Sequence, residues 1–285
     1  MWYNTSMKKL FCSSDVHGFY DEWMTALEKA GFDKENPNHI IVHCGDLIDR
    51  GHQPMKCLNF VNSLPAERKI LICGNHELLM DDLIARKYPQ LHDETNGTMP
   101  TIRDLTNIYG HDQSAIEDMQ YCEAWKKYRK SLVWYAEVGN YIFVHSWIPC
   151  EERDKWGRFL GIEYNPDWRN STARQFENAT WGNPFECWQN GIVEEGKTIT
   201  HGHWHNSFGH ANIHNYGVEF VKPVETMHFD EETGRMWPFA EYGVFEDKGI
   251  CSLDACTVVS HFVNCKVIKI KEKDWKEYAK KATIV

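Results

Sequence analysis

Five short apolar runs, each closed at once by residue types that ligate metals, constrain the fold of this chain more than any other feature. Asp15 and His17 follow the run KKLFCSS, Asp46 and Asp49 follow HIIVHC, and Asn75 and His76 follow RKILIC. His145 ends YIFVH, and His203 and His205 come just after KTIT. Residues placed just past strand ends gather along one edge of a sheet, so loops distant in sequence converge there. A single Asp or His in such a place reads as readily as a cap or a satisfied polar group. Carboxylate, amide oxygen and imidazole together suit manganese, iron, zinc or nickel, with no thiolate needed.

The N-terminal half alternates strand and helix. Phe19 to Ala30 reads as an amphipathic helix stopped by Gly31, and Pro54 to Asn62 as a second helix between the second and third strands. The resulting βαβαβ pattern has continuous apolar strands, which implies a sheet covered on both faces. Residues 78–130 turn helical and polar, with HDETNGTMP read as loop, and this stretch is expected to be an inserted helical cap. A hairpin SLVWYAEV, Gly139-Asn140, YIFVH comes next, and the late strands GICSLDA, TVVSHFV and KVIKI precede a short C-terminal helix. Residues 206–248 lack a clear period and are rich in aromatic side chains. They read as a second insertion in what is otherwise one domain over residues 1–285.

With 285 residues, 42% of them hydrophobic, the chain can bury a sizeable core. Its formal charge of -10 argues against holding nucleic acid by neutralising many phosphates. Neither a leader-like apolar segment nor an apolar run of membrane-spanning length occurs, so a cytoplasmic location away from membranes is expected. The ten cysteines include no CxxC pair, and those in apolar runs, Cys12, Cys44 and Cys73, read as buried thiols.

The joint pattern outweighs any single residue. GDLIDRG at 45–51 has five specified positions, a string expected by chance about once per million starts. With SDVHG at 14–18, GNHE at 74–77, His145 and GHWH at 202–205, the chain resembles the calcineurin-like metallophosphoesterase superfamily. Within it, the likeness is to the phosphoprotein phosphatase branch with its short bacterial and phage protein phosphatases. The resemblance implies an α/β (α+β) fold, a sandwich of two mixed β-sheets flanked by helices, and two divalent metal ions. Manganese is the first expectation, with iron and zinc or nickel as alternatives.

Carried over residue by residue, the resemblance makes Asp15 and His17 ligands of a first metal, Asp46 a bridge, and Asn75, His145 and His203 ligands of a second. His205 is a further candidate for the first metal. His76 is implied as the general acid oriented by Asp49, and Arg50 as a bidentate phosphate clamp. Two such ions about 3.5–4 Å apart activate water as hydroxide and neutralise phosphoryl oxygens during in-line attack. The implied function is a phosphatase for phosphate monoesters, resembling protein Ser/Thr phosphatases, with a phosphorylated protein or a small phosphate ester as substrate.

Several positions depart from that pattern. Asn183, in ATWGNPFECW, stands where phage-type enzymes carry a second phosphate-binding Arg, which makes it a candidate substrate contact, with Arg169 and Arg174 as substitutes. WGNPFECW and GHW instead resemble symmetrical diadenosine tetraphosphate hydrolases, so dinucleoside polyphosphates or other nucleotides are the alternative substrates. Those enzymes typically alter the second Asp of GDxxDRG, whereas Asp49 is present here. Ser146-Trp147 replaces a smaller pair after His145, and LDACT at 253–257 carries Cys256 where Gly is usual. Trp237, Phe239 or Tyr242 would stack on a substrate ring if the second insertion formed a lid. A catalytically dead binding module on this fold is a third class, and intact Asp49, Arg50 and His76 argue against it.

Overall fold

A computed structural model describes residues 7–153, 158–213, 226–230, 235–239 and 242–281. Its strands, in chain order, are β1 (Met7–Ser13), β2 (His39–His43), β3 (Lys69–Ile72), β4 (Leu132–Val133), β5 (Ala136–Val138), β6 (Tyr141–Phe143) and β7 (Glu151–Arg153). They continue as β8 (Phe159–Ile162), β9 (Thr198–His201), β10 (Thr226–Asp230), β11 (Arg235–Phe239), β12 (Phe245–Asp247), β13 (Ile250–Ser252) and β14 (Lys266–Lys271).

Two five-stranded sheets form the frame, one ordered β14-β1-β2-β3-β4 and the other β12-β13-β9-β6-β5. In the first, β1 to β4 run parallel and β14 is antiparallel. In the second, β13, β9 and β6 run parallel between two antiparallel edges. All five residues of β2 are buried, which requires cover on both faces. Edge strand β14 instead alternates, with Ile268 and Ile270 inward and Lys269 and Lys271 outward.

Three apolar clusters fill the layers. Leu10, Val42 and Ile72 of the first sheet meet Phe143, Cys251 and Leu253 of the second. Helices pack Trp23, Leu27, Phe60 and Met80 onto the outer face of the first sheet. Trp147, Trp168, Phe176 and Phe185 do the same beyond the second. The arrangement is helix, sheet, sheet, helix, the sandwich expected from the resemblance.

Three helices deliver the N-terminal site loops. Helix α1 (Tyr20–Lys29) buries Trp23 and Leu27, one turn apart, and Gly31 at φ +79° ends the turn after it. Helix α2 (Pro54–Ser63) starts on a proline, whose missing N–H is no loss at a first helical position. Helix α3 (Asn75–Arg86) begins on GNHE, with the Glu77 carboxylate accepting the N–H of Gly74 at 2.8 Å.

Three sequence expectations about local structure need correction. SLVWYAEV is not one strand: β4 pairs in the first sheet and β5 in the second. The break falls at Trp134 and Tyr135, half-buried residues whose rings stack on Phe176 at 5.9 and 5.6 Å, so the packing of two aromatics carries the chain from sheet to sheet. TVVSHFV is not a strand either. Thr257–Ser260 is a short helix that starts from Cys256 at φ +50°, and Val258 and Val259 face outward. Finally, HDETNGTMP is not loop. It contributes to helices Leu91–Thr95 and Thr98–Thr106, and the Arg86 guanidinium bonds the buried Asp93 in the first of them.

Within residues 206–248 the structure has a helix, Ser207–Ile213, and the antiparallel pair β10 and β11. Trp237, Phe239 and His228 lie on those strands, with side chains outside the described residues, and His214 is outside them altogether. No helix among the described residues is long and apolar enough to cross a membrane. Seven of the ten cysteines are buried, and Cys122, Cys256 and Cys265 are half-buried.

Candidate metal centre

The parallel strands of both sheets end at one place. Asp15, Asp46 and Asn75 lie two or three residues past β1, β2 and β3, while His145, His203 and Asp254 lie two past β6, β9 and β13. Backbone bonds join neighbouring loops: Asp15 N–H donates to Gly45 O at 3.1 Å and His17 N–H to Asp46 O at 2.9 Å.

This convergence is strained. Of the ten described non-glycine residues with positive φ, six are Asp15, His17, Asp46, Asp49, Arg50 and His203, at +47° to +73°. Arg50 and His203 sit at the centres of γ-turns, closed by Gly51 N–H to Asp49 O at 2.7 Å and Trp204 N–H to Gly202 O at 2.8 Å. Glycine is required at 74, because a Cβ there would collide with the Asp46 side chain.

Ring tautomers follow from backbone partners. Nδ1 of His17 donates to Ile48 O at 3.0 Å, and Nδ1 of His145 donates to Cys44 O at 2.8 Å. Each neutral ring therefore turns a lone pair on Nε2 toward Asp46. These Nε2 atoms lie 3.7 and 3.4 Å from its carboxylate oxygens. Asn75 Oδ1 lies 2.7 Å from His145 Nε2, and Asp15 Oδ2 accepts the N–H of His203 at 2.9 Å.

Two groups emerge whose candidate ligand atoms all lie within 4.8 Å of one another: His17, Asp46 and His76, and Asp46, His145 and His203. Asp46 belongs to both. Burial pushes His17 and His145 below the usual imidazole range and His203 down to about 3, so these rings stay neutral at neutral pH. Burial alone would raise Asp46, but the cationic forms of the His145, His76, His17 and His203 imidazoles, taken up at low pH, outweigh it and place the carboxyl well below its usual range. Burial, then Asp254 and Asp46, push Asp15 up. Carboxylates crowded among neutral, lone-pair-bearing rings fit divalent cations.

His76 stands apart from the other imidazoles. Its Nδ1 donates to Asp49 Oδ2 at 2.8 Å, a carboxylate where His17 and His145 have carbonyls. Burial lowers its pKa, but Asp46 and Asp49 outweigh that and the net shift is upward. Arg50 spans the opening, with Nη1 2.9 Å from His17 Nε2 and Nη2 3.0 Å from His76 Nε2.

Reading the sequence missed three supporting residues, Thr98, Glu77 and Asp254. Thr98 donates its hydroxyl to Asp49 Oδ2 at 2.8 Å, from the first turn of the helix Thr98–Thr106. Nothing in the sequence marks it. Glu77 accepts the N–H groups of Asp46, Leu47 and Gly74 and the Tyr128 hydroxyl, all at 2.8–3.0 Å. Its place in GNHE was the available signal. Asp254 accepts the N–H of Cys256 at 2.6 Å, and burial pushes it up to about 7. LDACT held that clue.

Of the other candidates, His205 lies beside the centre, in the cavity that His17, Arg50 and His203 line, and the rest lie elsewhere. His205 is in neither group: its Nδ1 meets the Ser207 hydroxyl, and its ring packs 4.3 Å from Phe208 and 5.7 Å from Tyr242. Asn183 caps the helix Pro184–Gln189, its Oδ1 accepting from Phe185 and Glu186 at 3.1 and 3.2 Å. Arg169 is tied to Glu137 and Glu194 and lies over Trp168, while Arg174 is exposed. Trp147 is buried, its indole N–H donating to Ile192 O at 2.9 Å, and so belongs to the core. His210 Nε2 donates to Gly243 O at 3.0 Å.

The family model for calcineurin-like phosphoesterases matches residues 8–244. A symmetrical bis(5'-nucleosyl)-tetraphosphatase of Pasteurella multocida is 27% identical over 164 residues, covering 56% of this chain and 46% of that protein. Its counterpart in Psychromonas ingrahamii is 44% identical over 64 residues, 22% of each chain. The matched segments thus span less than half of these relatives' length. Among solved structures, a putative diadenosine tetraphosphatase aligns over 95% of this chain and 96% of its own, at 12% identity and a TM-score of 0.47. A protein serine/threonine phosphatase from Saccharomyces cerevisiae aligns over 92% and 79%, at 14% identity and a TM-score of 0.40.

Proposed function

Because this chain belongs to the calcineurin-like phosphoesterase family, we propose that it hydrolyses phosphate esters at a dinuclear centre built around Asp46. The observation that carries the reading is the sharing of Asp46 by both donor groups. In this reading Asp15, His17 and Asp46 would hold one divalent ion and Asp46, Asn75, His145 and His203 the other, with His76, which lies in the first donor group, kept free as an acid. Bound there, the ions lower the pKa of water and neutralise charge on the phosphoryl oxygens.

The protein's own groups do the rest. Arg50 turns its fork to two phosphoryl oxygens and sets the substrate in line. His76, its Nδ1 proton held on Asp49, presents a second proton from Nε2 to the departing oxygen. Upward displacement of its pKa keeps that proton available near neutral pH. The loop strain at Asp15, Asp46 and His203 fixes donor positions in advance, so little reorganisation is left for the reaction.

Phosphomonoester hydrolysis is the first reading, since one Arg clamp beside the centre matches one terminal phosphoryl group. The second is hydrolysis of dinucleoside polyphosphates, supported by the names of the matched relatives. Turnover of phosphopeptides and of dinucleoside tetraphosphates, each with added manganese, separates them. Hydrolysis of neither, nor of an activated aryl phosphate, contradicts the proposal.

A further inference from the structure

Away from the metal centre, the structure brings two thiols together. Cys150 Sγ lies 3.5 Å from Cys187 Sγ, although the two residues are 37 apart in sequence. Both backbones are fixed. Cys150 O accepts the N–H of Glu163 at 2.9 Å, and Cys187 donates its N–H to Asn183 O at 3.1 Å and accepts that of Ile192 at 3.0 Å. The segments that carry them are joined at two further points, Ser146 Oγ to Gly182 O at 2.8 Å and the Trp147 indole N–H to Ile192 O at 2.9 Å. Both cysteines also line a cavity of about 650 Å3, whose wall includes Trp147, Leu160 and Tyr164. Its charged residues, among the described lining, are the acids Glu163 and Glu186. Cys12, Cys44 and Cys251, by contrast, are packed between the two sheets.

We propose that Cys150 and Cys187 form an oxidation site, in which hydrogen peroxide entering this cavity converts the two thiols into a disulfide that ties the loop after His145 to the helix Pro184–Gln189. The sulfur atoms need to approach by about 1.5 Å to reach bonding distance, a movement that side-chain rotation supplies while the backbone stays bonded. One cysteine, as its thiolate, attacks a peroxide oxygen. The O–O bond breaks, the sulfur becomes a sulfenic acid, and the departing hydroxide takes up the thiol proton as water. The second thiolate then attacks that sulfur, the S–O bond breaks, and a second water carries off the hydroxyl and the remaining proton. Two thiols are thereby oxidised to a disulfide, and one peroxide is reduced to two waters. An uncharged oxidant suits a wall whose charges are both negative, since these repel an anionic one such as glutathione disulfide. A bond that closes 37 residues restricts the unfolded chain more than the folded one, which already holds these segments together.

The test treats the purified full chain with an equimolar amount of hydrogen peroxide, blocks the remaining thiols with iodoacetamide, and maps the peptides by mass spectrometry without reduction. The expected product is one linked pair of peptides carrying Cys150 and Cys187, two hydrogens lighter than the unlinked pair, which dithiothreitol separates. Oxidation should raise the Tm of the wild type by roughly 5 °C. The same treatment should leave the Tm of Cys150→Ala and of Cys187→Ala unchanged. Recovery of both cysteines as alkylated thiols after the half-buried Cys122, Cys256 or Cys265 has been oxidised overturns the inference. So does oxidation of Cys150 or Cys187 that ends at sulfinic acid with no linked pair. A Tm gain that persists in either variant overturns it as well. Where a variant fails to fold, the wild-type peptide map decides by itself.

Discussion

At the residue scale, the hydrogen-bond partner of each imidazole separates the roles. A carbonyl on Nδ1 leaves His17 and His145 neutral and ready to ligate, whereas the Asp49 carboxylate prepares His76 to hold a proton. Thr98 bonds the same Asp49 oxygen, so it positions the pair from behind. Thr98→Val is expected to lower kcat roughly tenfold on alkyl phosphates, whose leaving oxygen needs a proton, and to change aryl phosphates with good leaving groups far less, with Thr98→Ser restoring the difference. A plot of log kcat against leaving-group pKa reads this out. A uniform loss along the plot would mean that Thr98 only stabilises the fold. The residues gathered at the centre were legible in motif spacing because each follows a strand end. Thr98 was not, since a single hydroxyl at the start of a helix carries no pattern. His205, which the spacing marks as a candidate ligand, packs its ring on Phe208.

At the element scale, apolar periodicity located β1, β2, β3, β9 and the first two helices but did not assign strands to sheets. β4 and β5 were read as one strand because Trp134 and Tyr135 look like strand residues, yet their stacking on Phe176 makes them the crossing point. Thr257–Ser260 has β-branched residues and is still helical, since Asp254 and the positive φ of Cys256 fix the turn before it. The helices of residues 78–130 also brace the site loops. Tyr128, near the end of that stretch, bonds Glu77, which in turn holds the loops of Asp46 and Gly74. Tyr128→Phe removes that hydroxyl and is expected to cost about 1 kcal/mol, a downward shift of a few degrees in Tm by calorimetry. Gly74→Ala should cost more and suppress activity as well, because the added methyl displaces the Asp46 side chain.

At the scale of the whole molecule, stability and metal binding share the same protons. Burial holds His43, His201 and His203 down to about 3 when folded, while the unfolded chain takes up these protons near 6.5. The unfolded state therefore binds more protons between pH 6.5 and about 3, and these groups make stability fall as pH drops through that window. Glu77 and Asp254, raised to about 7 chiefly by burial, act oppositely: the folded state holds their protons between about 4 and 7, and stability falls as pH rises there. Divalent ions need deprotonated ligands, and Asp15, pushed up by burial and by Asp254 and Asp46, is the ligand whose proton the metal must displace. Added manganese should thus raise Tm more at pH 8 than at pH 6, as thermal melts with and without the metal would record. An equal shift at both values contradicts this linkage. The central claim is that one carboxylate, Asp46, serves two metal positions. Equilibrium dialysis of the metal-free protein against manganese measures that most directly. The account predicts two ions per chain in the wild type and fewer than one at the same concentration in Asp46→Asn. Two ions retained by the variant, or only one in the wild type, would contradict it.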